Sequence, residues 1–321
     1  MVISFGSVNM DMIMYVDCMP VRGESVLSRE SIMVCGGKGA NQALAARKFG
    51  ADTKFFCSVG RDSLGDCVSK DLMHNFGDDA HIQVSDKGKT GVASVYVDAN
   101  GNSSVVVCPG ANHHLRAHDV SDDVLKNAKV ILMQMEVDPA ENLKLVERLD
   151  EYQTVVVNLS PLRELPSIDF LKKCGVVIMN EGEAMLFARN LGYIGISIED
   201  SAHFIARHCD VTCIVTLGNN GAIASNSADL FRVGAMPISA LDTTGAGDAF
   251  AGVIAASLAE CIPMQEALRY ASVAAGLSCL KPGAQDSIPS RDALERSLHI
   301  VSPTSRVFKN HDDVIRRACT A

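Results

Sequence analysis

Residues Phe55–Asn75 read FFCSVGRDSLGDCVSKDLMHN. The run Phe55–Val59 has strand length and apolar character, and from Leu64 to Asn75 the apolar positions fall at helical spacing, so the stretch is one βα unit. The same unit repeats outward in both directions. Further strand-like runs lie at Val2–Phe5, Val130–Met133, Thr154–Leu159, Val176–Met179 and Cys213–Thr216, with helical patterns at Lys38–Phe49 and Asp138–Tyr152. Strands apolar on both faces and separated by helices predict an α/β fold with a mainly parallel sheet covered on both sides. Two regions break the rhythm, with strands that lack a helix between them: Met12–Val16 with Ser25–Met33, and Gly91–Val97 with Ser103–Cys108 across the turn Asp98-Ala-Asn-Gly101. On pattern alone these pairs fit either a small separate sheet, which would act as a lid over a cleft, or extra edge strands of the main sheet. Residues 1–300 read as one unit, with lid segments at roughly 11–35 and 90–109. Residues 301–321, including Ser302-Pro-Thr-Ser-Arg306, read as a tail past the last apolar helix.

Composition narrows the function classes. The 321 residues are 47% hydrophobic and 21% charged, which suits a sizeable core and excludes a disordered or fibrous chain. A net charge of −9 argues against the broad basic surface that nucleic acid requires. The eleven cysteines contain no CxxC pair, which argues against a disulfide framework and a structural zinc site and points to free thiols, most of them buried. The N-terminal MVISFGSVNMDMIM lacks a basic leader and meets Asp11 early, so a cytoplasmic chain is expected. The longest apolar stretches, Ala249–Ala259 and Tyr270–Leu280, are about half of the roughly 18 residues of a membrane span and read as core helices.

The chemistry concentrates in a few segments. Leu241-Asp-Thr-Thr-Gly-Ala-Gly-Asp-Ala-Phe250 follows a strand read at Phe231–Ile238 and opens an apolar helix. Gly245 and Gly247 allow tight turning, and the free N–H groups of a first helical turn form an anion cradle. A carboxylate at Asp248 inside that cradle suits transfer of a phosphoryl group to a hydroxyl, with Asp248 as general base and the amides of Gly245, Ala246, Gly247 and Asp248 holding the developing charge. An acid that merely complements the helix dipole is the equally open alternative. Gly36-Gly-Lys-Gly39 lacks the first glycine and the Ser/Thr of a P-loop, and neither glycine-rich stretch completes GxGxxG. Gly36 to Asn41 is instead either a close-approach loop for a small polar ligand or a plain strand-to-helix turn. Asn180-Glu-Gly-Glu183 follows a strand end, where Asn180 and Glu183 can offer hard oxygens to Mg²⁺ or simply cap a helix. Thr216-Leu-Gly218 with Gly221 suits a nucleotide or an ordinary loop, and Asn9 and Asp11 suit sugar hydroxyls or a turn.

Taken together, these segments resemble the ribokinase family of PfkB-type carbohydrate kinases from about residue 2 to 290. Most of the specificity lies in Gly36-Gly-Lys-Gly-Ala-Asn-Gln42 and Asp242-Thr-Thr-Gly-Ala-Gly-Asp-Ala-Phe250. Gly6-Ser-Val-Asn-Met-Asp11, Pro20 with Gly23-Glu24, Thr90-Gly-Val-Ala93, Gly110-Ala-Asn112, Asn180-Glu-Gly-Glu183, Thr216-Leu-Gly218 and Gly283-Ala-Gln-Asp-Ser287 match in order. The resemblance implies a three-layer fold with a β lid and ATP-dependent phosphorylation of a furanose at its terminal hydroxyl, O5 for D-ribose. It implies Asp248 as base beside the anion hole, and Asn9, Asp11, Gly37, Lys38, Asn41 and Glu136 on the sugar. Asn180, Thr216, Gly218, Gly221 and Gly247 would face ATP, and Asn180 with Glu183 would place Mg²⁺ largely through water. A site for K⁺ is implied at Asp242, Thr244, Ser278, Lys281, Gly283 and Ser287, together with a homodimer formed through the lid. Lys281-Pro282 departs from the Arg-Lys common at that point of the family, and Asp286 adds a charge beside Ser287. Kinases of the same fold acting on fructose, a deoxyribose or a nucleoside, and a non-catalytic sugar or nucleotide sensor, are the alternatives.

Overall fold

Short β-branched runs buried on both faces form the centre of the molecule in the computed structural model, which describes residues 1–99, 103–162 and 165–307. The first half runs β1 (Val2–Phe5), β2 (Asn9–Val16), β3 (Ser28–Gly36), α1 (Lys38–Phe49), β4 (Thr53–Gly60), α2 (Ser63–Phe76), β5 (Ala80–Ser85), β6 (Gly91–Val97), β7 (Ser103–Cys108), α3 (Asp122–Asn127), β8 (Val130–Gln134) and α4 (Pro139–Val146). It continues with β9 (Thr154–Asn158), α5 (Ile168–Lys172), β10 (Val176–Asn180), α6 (Glu181–Asn190), α7 (Ile198–Cys209), β11 (Thr212–Thr216), β12 (Ala222–Ser225) and β13 (Leu230–Val233). The last elements are α8 (Ala246–Ala259), α9 (Met264–Ser278), α10 (Arg291–Ser297) and β14 (Ser305–Val307).

The main sheet has the order β14-β13-β12-β11-β10-β9-β8-β1-β4-β5. From β11 to β5 every neighbouring pair is parallel, as helical crossovers demand. Beyond β11 the connections are short, and β12, β13 and β14 add antiparallel at one edge. Alternation along β8 splits the core in two. Ile131 and Met133 pack with Phe187 and Ile205 on one face, while Val130 and Leu132 pack with Ile254 and Leu268 on the other.

The strands that broke the rhythm form a separate four-stranded sheet, β3-β2-β6-β7, so the edge-strand alternative does not hold. Ile13, Ala93 and Val95 make its own small core. Three readings need revision. The strand expected at Phe231–Ile238 ends at Val233, and residues 234–245 are irregular. Within the segment read as a tail, Ser305–Val307 pairs with β13, and residues 308–321 lie outside the described residues. Of the ten described cysteines only Cys57, Cys174, Cys209, Cys213 and Cys279 are buried. No described helix is long and apolar enough to cross a membrane.

One packing contact sets up the site. The alanine-rich α1 lies against α8, where a Cβ on Gly252 would meet the carbonyl oxygen of Gln42 and come within 2.6 Å of Ala45 Cβ. Helices in such close contact bring the first turn of α1 beside the first turn of α8.

Candidate active site

Both helices begin on a glycine with positive φ: Gly37 (φ 93°) before α1 and Gly245 (φ 77°) before α8. A side chain is strained there, and the glycines let both chains turn sharply into their helices. The two N-termini converge at the carboxyl ends of β1 and β8, the usual place for ligands in an open parallel sheet. Asp248 stands in the first turn of α8 and is 8% exposed. Its Oδ2 accepts from Asn41 Nδ2 at 2.9 Å and its Oδ1 accepts from Gln42 Nε2 at 2.9 Å. The N–H groups of Gly245, Gly247 and Asp248 have no acceptor among the described residues, whereas that of Ala246 makes a 3.3 Å bond to Thr243 O. Of the four amides read as a cradle, three thus have no intramolecular acceptor among the described residues and one is turned toward its own loop.

A ring of charge surrounds Asp248. Glu136, just past β8, accepts from Ser7 Oγ at 2.6 Å and from Lys38 N at 3.4 Å, and its Oε1 lies 3.8 Å from Lys38 Nζ. Asp11 is 7% exposed, its Oδ1 has no hydrogen-bond partner, and its carboxylate occupies the space a Cβ on Gly36 would need. Burial pushes its pKa up to about 7, helped by repulsion from Glu136 and Asp248 and opposed by Lys38. For Lys38, burial disfavours the charged ammonium, but the carboxylates of Asp248, Glu136, Glu183 and Asp11 outweigh it and hold the pKa above its ordinary value. Asn9 is held by Asn112, whose Nδ2 donates to Asn9 Oδ1 at 2.9 Å and to Val8 O at 3.0 Å. The result is a buried pocket of acceptors and donors around one lysine.

A second hollow adjoins it. Asn180 and Thr216 are register partners at the ends of β10 and β11. A cavity of about 280 Å³ runs from Thr216, Gly218 and Gly221 to Ala246 and Gly247, walled by apolar side chains such as Met236. It opens onto the same helix terminus that carries Asp248. The site thus has two compartments, one polar and acidic and one largely apolar, that meet at the α8 N-terminus.

A pfkB family carbohydrate kinase model matches residues 1–291. The chain belongs to this family. The kinase is 30% identical over 295 residues to the ribokinase of Haemophilus influenzae, covering 89% of this chain and 94% of that one. It is 29% identical to a deoxyribokinase of Salmonella typhi over 92% of this chain and 97% of the relative. Among solved structures, a ribokinase from Cryptococcus neoformans var. grubii serotype A in complex with ADP superposes with a TM-score of 0.79 at 27% identity, covering 92% of this chain and 98% of that one.

In the kinase, Asn9, Asp11, Gly37, Lys38, Asn41, Glu136 and Asp248 come together in the polar compartment. Thr216, Gly218, Gly221 and Gly247 line the apolar one. Asn180 and Glu183 form a reciprocal cap at the start of α6, with Asn180 N donating to Glu183 Oε2 at 2.9 Å and Glu183 N to Asn180 Oδ1 at 2.8 Å. No group of three His, Cys, Asp or Glu placed to hold a metal occurs among the described residues. The carboxylate and amide oxygens of Asn180 and Glu183 are hard donors of the kind that suits Mg²⁺. The residues named for K⁺ gather where the loop before α8 meets the end of α9 and the loop that follows it. Asp242 accepts from Thr244 N at 2.8 Å and Gly283 N at 2.9 Å, and the hydroxyls of Ser278 and Ser287 are turned to Ala275 O and Ala284 O. Lys281 is exposed. A carboxylate, carbonyls and serine oxygens are a donor set that suits a hard monovalent cation. Sequence reasoning gave no role to Ser7, Gln42 or Asn112. All three stand inside or beside the quoted motifs, and that adjacency was the available signal.

Proposed function

We propose that this kinase transfers the γ-phosphoryl group of ATP to O5 of D-ribose, with Asp248 as the general base. The observation that carries the reading is the meeting of the two compartments at the α8 N-terminus. A sugar among Asn9, Asp11, Lys38, Asn41 and Glu136 would present its terminal hydroxyl to Asp248 Oδ2. The γ-phosphate of a nucleotide in the apolar cavity would face the amides of Gly245, Gly247 and Asp248. Asp248 takes the hydroxyl proton as the O–P bond forms and the bond to the leaving ADP breaks. The amides hold charge spreading over the phosphoryl oxygens. Asn180 and Glu183 would hold Mg²⁺, which would supply neutralisation of the nucleotide charge, and the oxygens around Asp242 would hold K⁺, which would supply a further positive charge. The Lys38 ammonium, kept charged by the carboxylates around it, would stabilise negative charge developing beside the sugar. The ribokinase relatives support ribose. The deoxyribokinase relative supports 2-deoxyribose as a second acceptor. Exposed Met33, Val105 and Val106 on the lid support a homodimer formed there.

The acceptor is decided by ADP release from Mg·ATP in potassium buffer against ribose, 2-deoxyribose, fructose, tagatose and adenosine. Turnover led by ribose is the expected result, turnover led by another acceptor moves the substrate, and silence across the panel sinks the kinase assignment of this site.

A pH dependence follows from Asp11. Sugar hydroxyls donate to its ionised form and so favour ionisation. Affinity for ribose is therefore expected to weaken below about pH 7, to rise through that value and then to level off, and binding at pH 7 is expected to release protons. Titration calorimetry in buffers of different ionisation enthalpy reads the proton count directly. Proton uptake, or heats independent of the buffer, would contradict the role given to Asp11, and Asp11→Asn is expected to abolish the effect.

A further inference from the structure

We propose that Gln42, oriented by Gln134, is the positioning residue that fixes the carboxylate of Asp248. The inference rests on the reading of Asp248 as the base. A carboxylate only accepts hydrogen bonds, so the amide group that faces it must be NH₂. That requirement sets the orientation of Gln42, whose Nε2 donates to Asp248 Oδ1 at 2.9 Å. Its Oε1 must then face away from the base, and there it accepts from Gln134 Nε2 at 2.9 Å. Gln134 is held in turn, because its backbone carbonyl accepts from Asn142 Nδ2 at 2.9 Å. Its own Oε1 ends the chain buried and without a partner, in the space that a Cβ on Gly6 would need.

The two oxygens of the base are treated differently. Oδ2 is held by Asn41, a residue of the polar compartment, so this is the side a sugar hydroxyl reaches. Oδ1 is held by Gln42, which is 0% exposed, as is Gln134. Neither glutamine can touch a substrate. A buried amide left half satisfied is unfavourable for folding, and the arrangement is understandable if it serves to keep one NH₂ on Asp248. With Oδ1 pinned, the carboxylate cannot rotate, and Oδ2 stays directed at the hydroxyl.

Gln42→Met keeps the volume and removes the donor, and Gln134→Met removes the group that orients it. In Gln42→Met kcat is expected to fall about 10- to 100-fold, with the KM values for sugar and ATP within about twofold of the parent. In Gln134→Met a smaller fall is expected, and the double variant should match Gln42→Met alone, since both act through one hydrogen bond. A role in stability only would lower the melting temperature and leave kcat of the folded fraction intact. Retained kcat in folded Gln42→Met, a rise in KM that accounts for the loss, or effects that multiply in the double variant would overturn the proposal. If Gln42→Met does not fold, Gln42→Leu likewise removes the donor, and parental turnover in the folded variant would overturn the proposal equally. Asp248→Asn, measured alongside, separates the two levels. Activity in Asp248→Asn removes the base itself, whereas an inactive Asp248→Asn with a fully active Gln42→Met removes only the positioning role.

Discussion

Asp248→Asn is expected to lower kcat roughly 1,000-fold, about 4 kcal/mol on the barrier, while sugar and nucleotide still bind. The substitution keeps the size and the α8 geometry, and an asparagine oxygen can still accept from Asn41 or Gln42, the two groups that hold the carboxylate at 2.9 Å each. What it lacks is the capacity to take a proton. Its NH₂ must also face one of two donors, so some loss of order at Asn41 or Gln42 accompanies the change. Single-turnover kinetics with calorimetric binding of both ligands separates the two effects. A variant that binds but does not turn over is the expected result, and one that retains a tenth of the parental kcat would show that no base is needed at this position.

Gly39→Val is expected to damage the fold and the polar compartment together. A Cβ at Gly39 would lie 2.5 Å from Ser7 N and 2.6 Å from both Gly6 C and Ser7 O. These are backbone atoms of the loop leaving β1, and they have no rotamer with which to yield. Ser7 Oγ bonds Glu136 and accepts from Gly39 N, and Ser7 O accepts from Ala40 N. Forcing α1 away therefore breaks the contact that ties the loop after β1 to the acidic pocket. A destabilisation of about 2–4 kcal/mol is expected from overpacking against rigid backbone, together with at least a tenfold loss of sugar affinity. Thermal unfolding and calorimetry report the two losses separately, and a parental melting temperature with parental affinity would contradict the close approach on which the pocket depends.

The layers of the fold were legible because βα periodicity is a local signal: runs such as Val130–Met133 and Thr154–Leu159 lie almost where β8 and β9 form. Less legible was the antiparallel edge. The run Phe231–Ile238 is apolar enough for a strand, yet the chain leaves the sheet after Val233, and Ala235, Met236 and Ile238 instead wall the apolar cavity. That is a tertiary arrangement invisible to a sequence window. The pairing of Ser305–Val307 with β13 is likewise long-range, and three residues carry too little pattern to announce a strand. The separate lid sheet depended on a parallel pairing of β2 with β6, more than seventy residues apart in the chain. Only the family resemblance distinguished it from extra edge strands.

The candidate site divides in the same way. Asp248 and its glycines were readable because the helix-terminal chemistry is encoded within ten residues. Gln42 and Gln134 were not, since each looks like an ordinary polar residue until α1, β8 and α8 are assembled and one carboxylate dictates the orientation of both amides. The acidity of the pocket was similarly hidden. Asp11, Glu136 and Asp248 come from three distant segments, and it is burial together with the repulsion of the other two carboxylates that raises the pKa of Asp11.

The central claim is phosphoryl transfer from ATP to O5 of a pentose held beside Asp248. Phosphorus NMR of the product formed from Mg·ATP and D-ribose tests it most directly, because a phosphate on O5 couples to the two protons of a methylene group and one on O1 couples to a single proton. A triplet that appears with stoichiometric ADP and is absent with Asp248→Asn is the predicted result. A doublet, or release of inorganic phosphate without a sugar phosphate, would contradict the account.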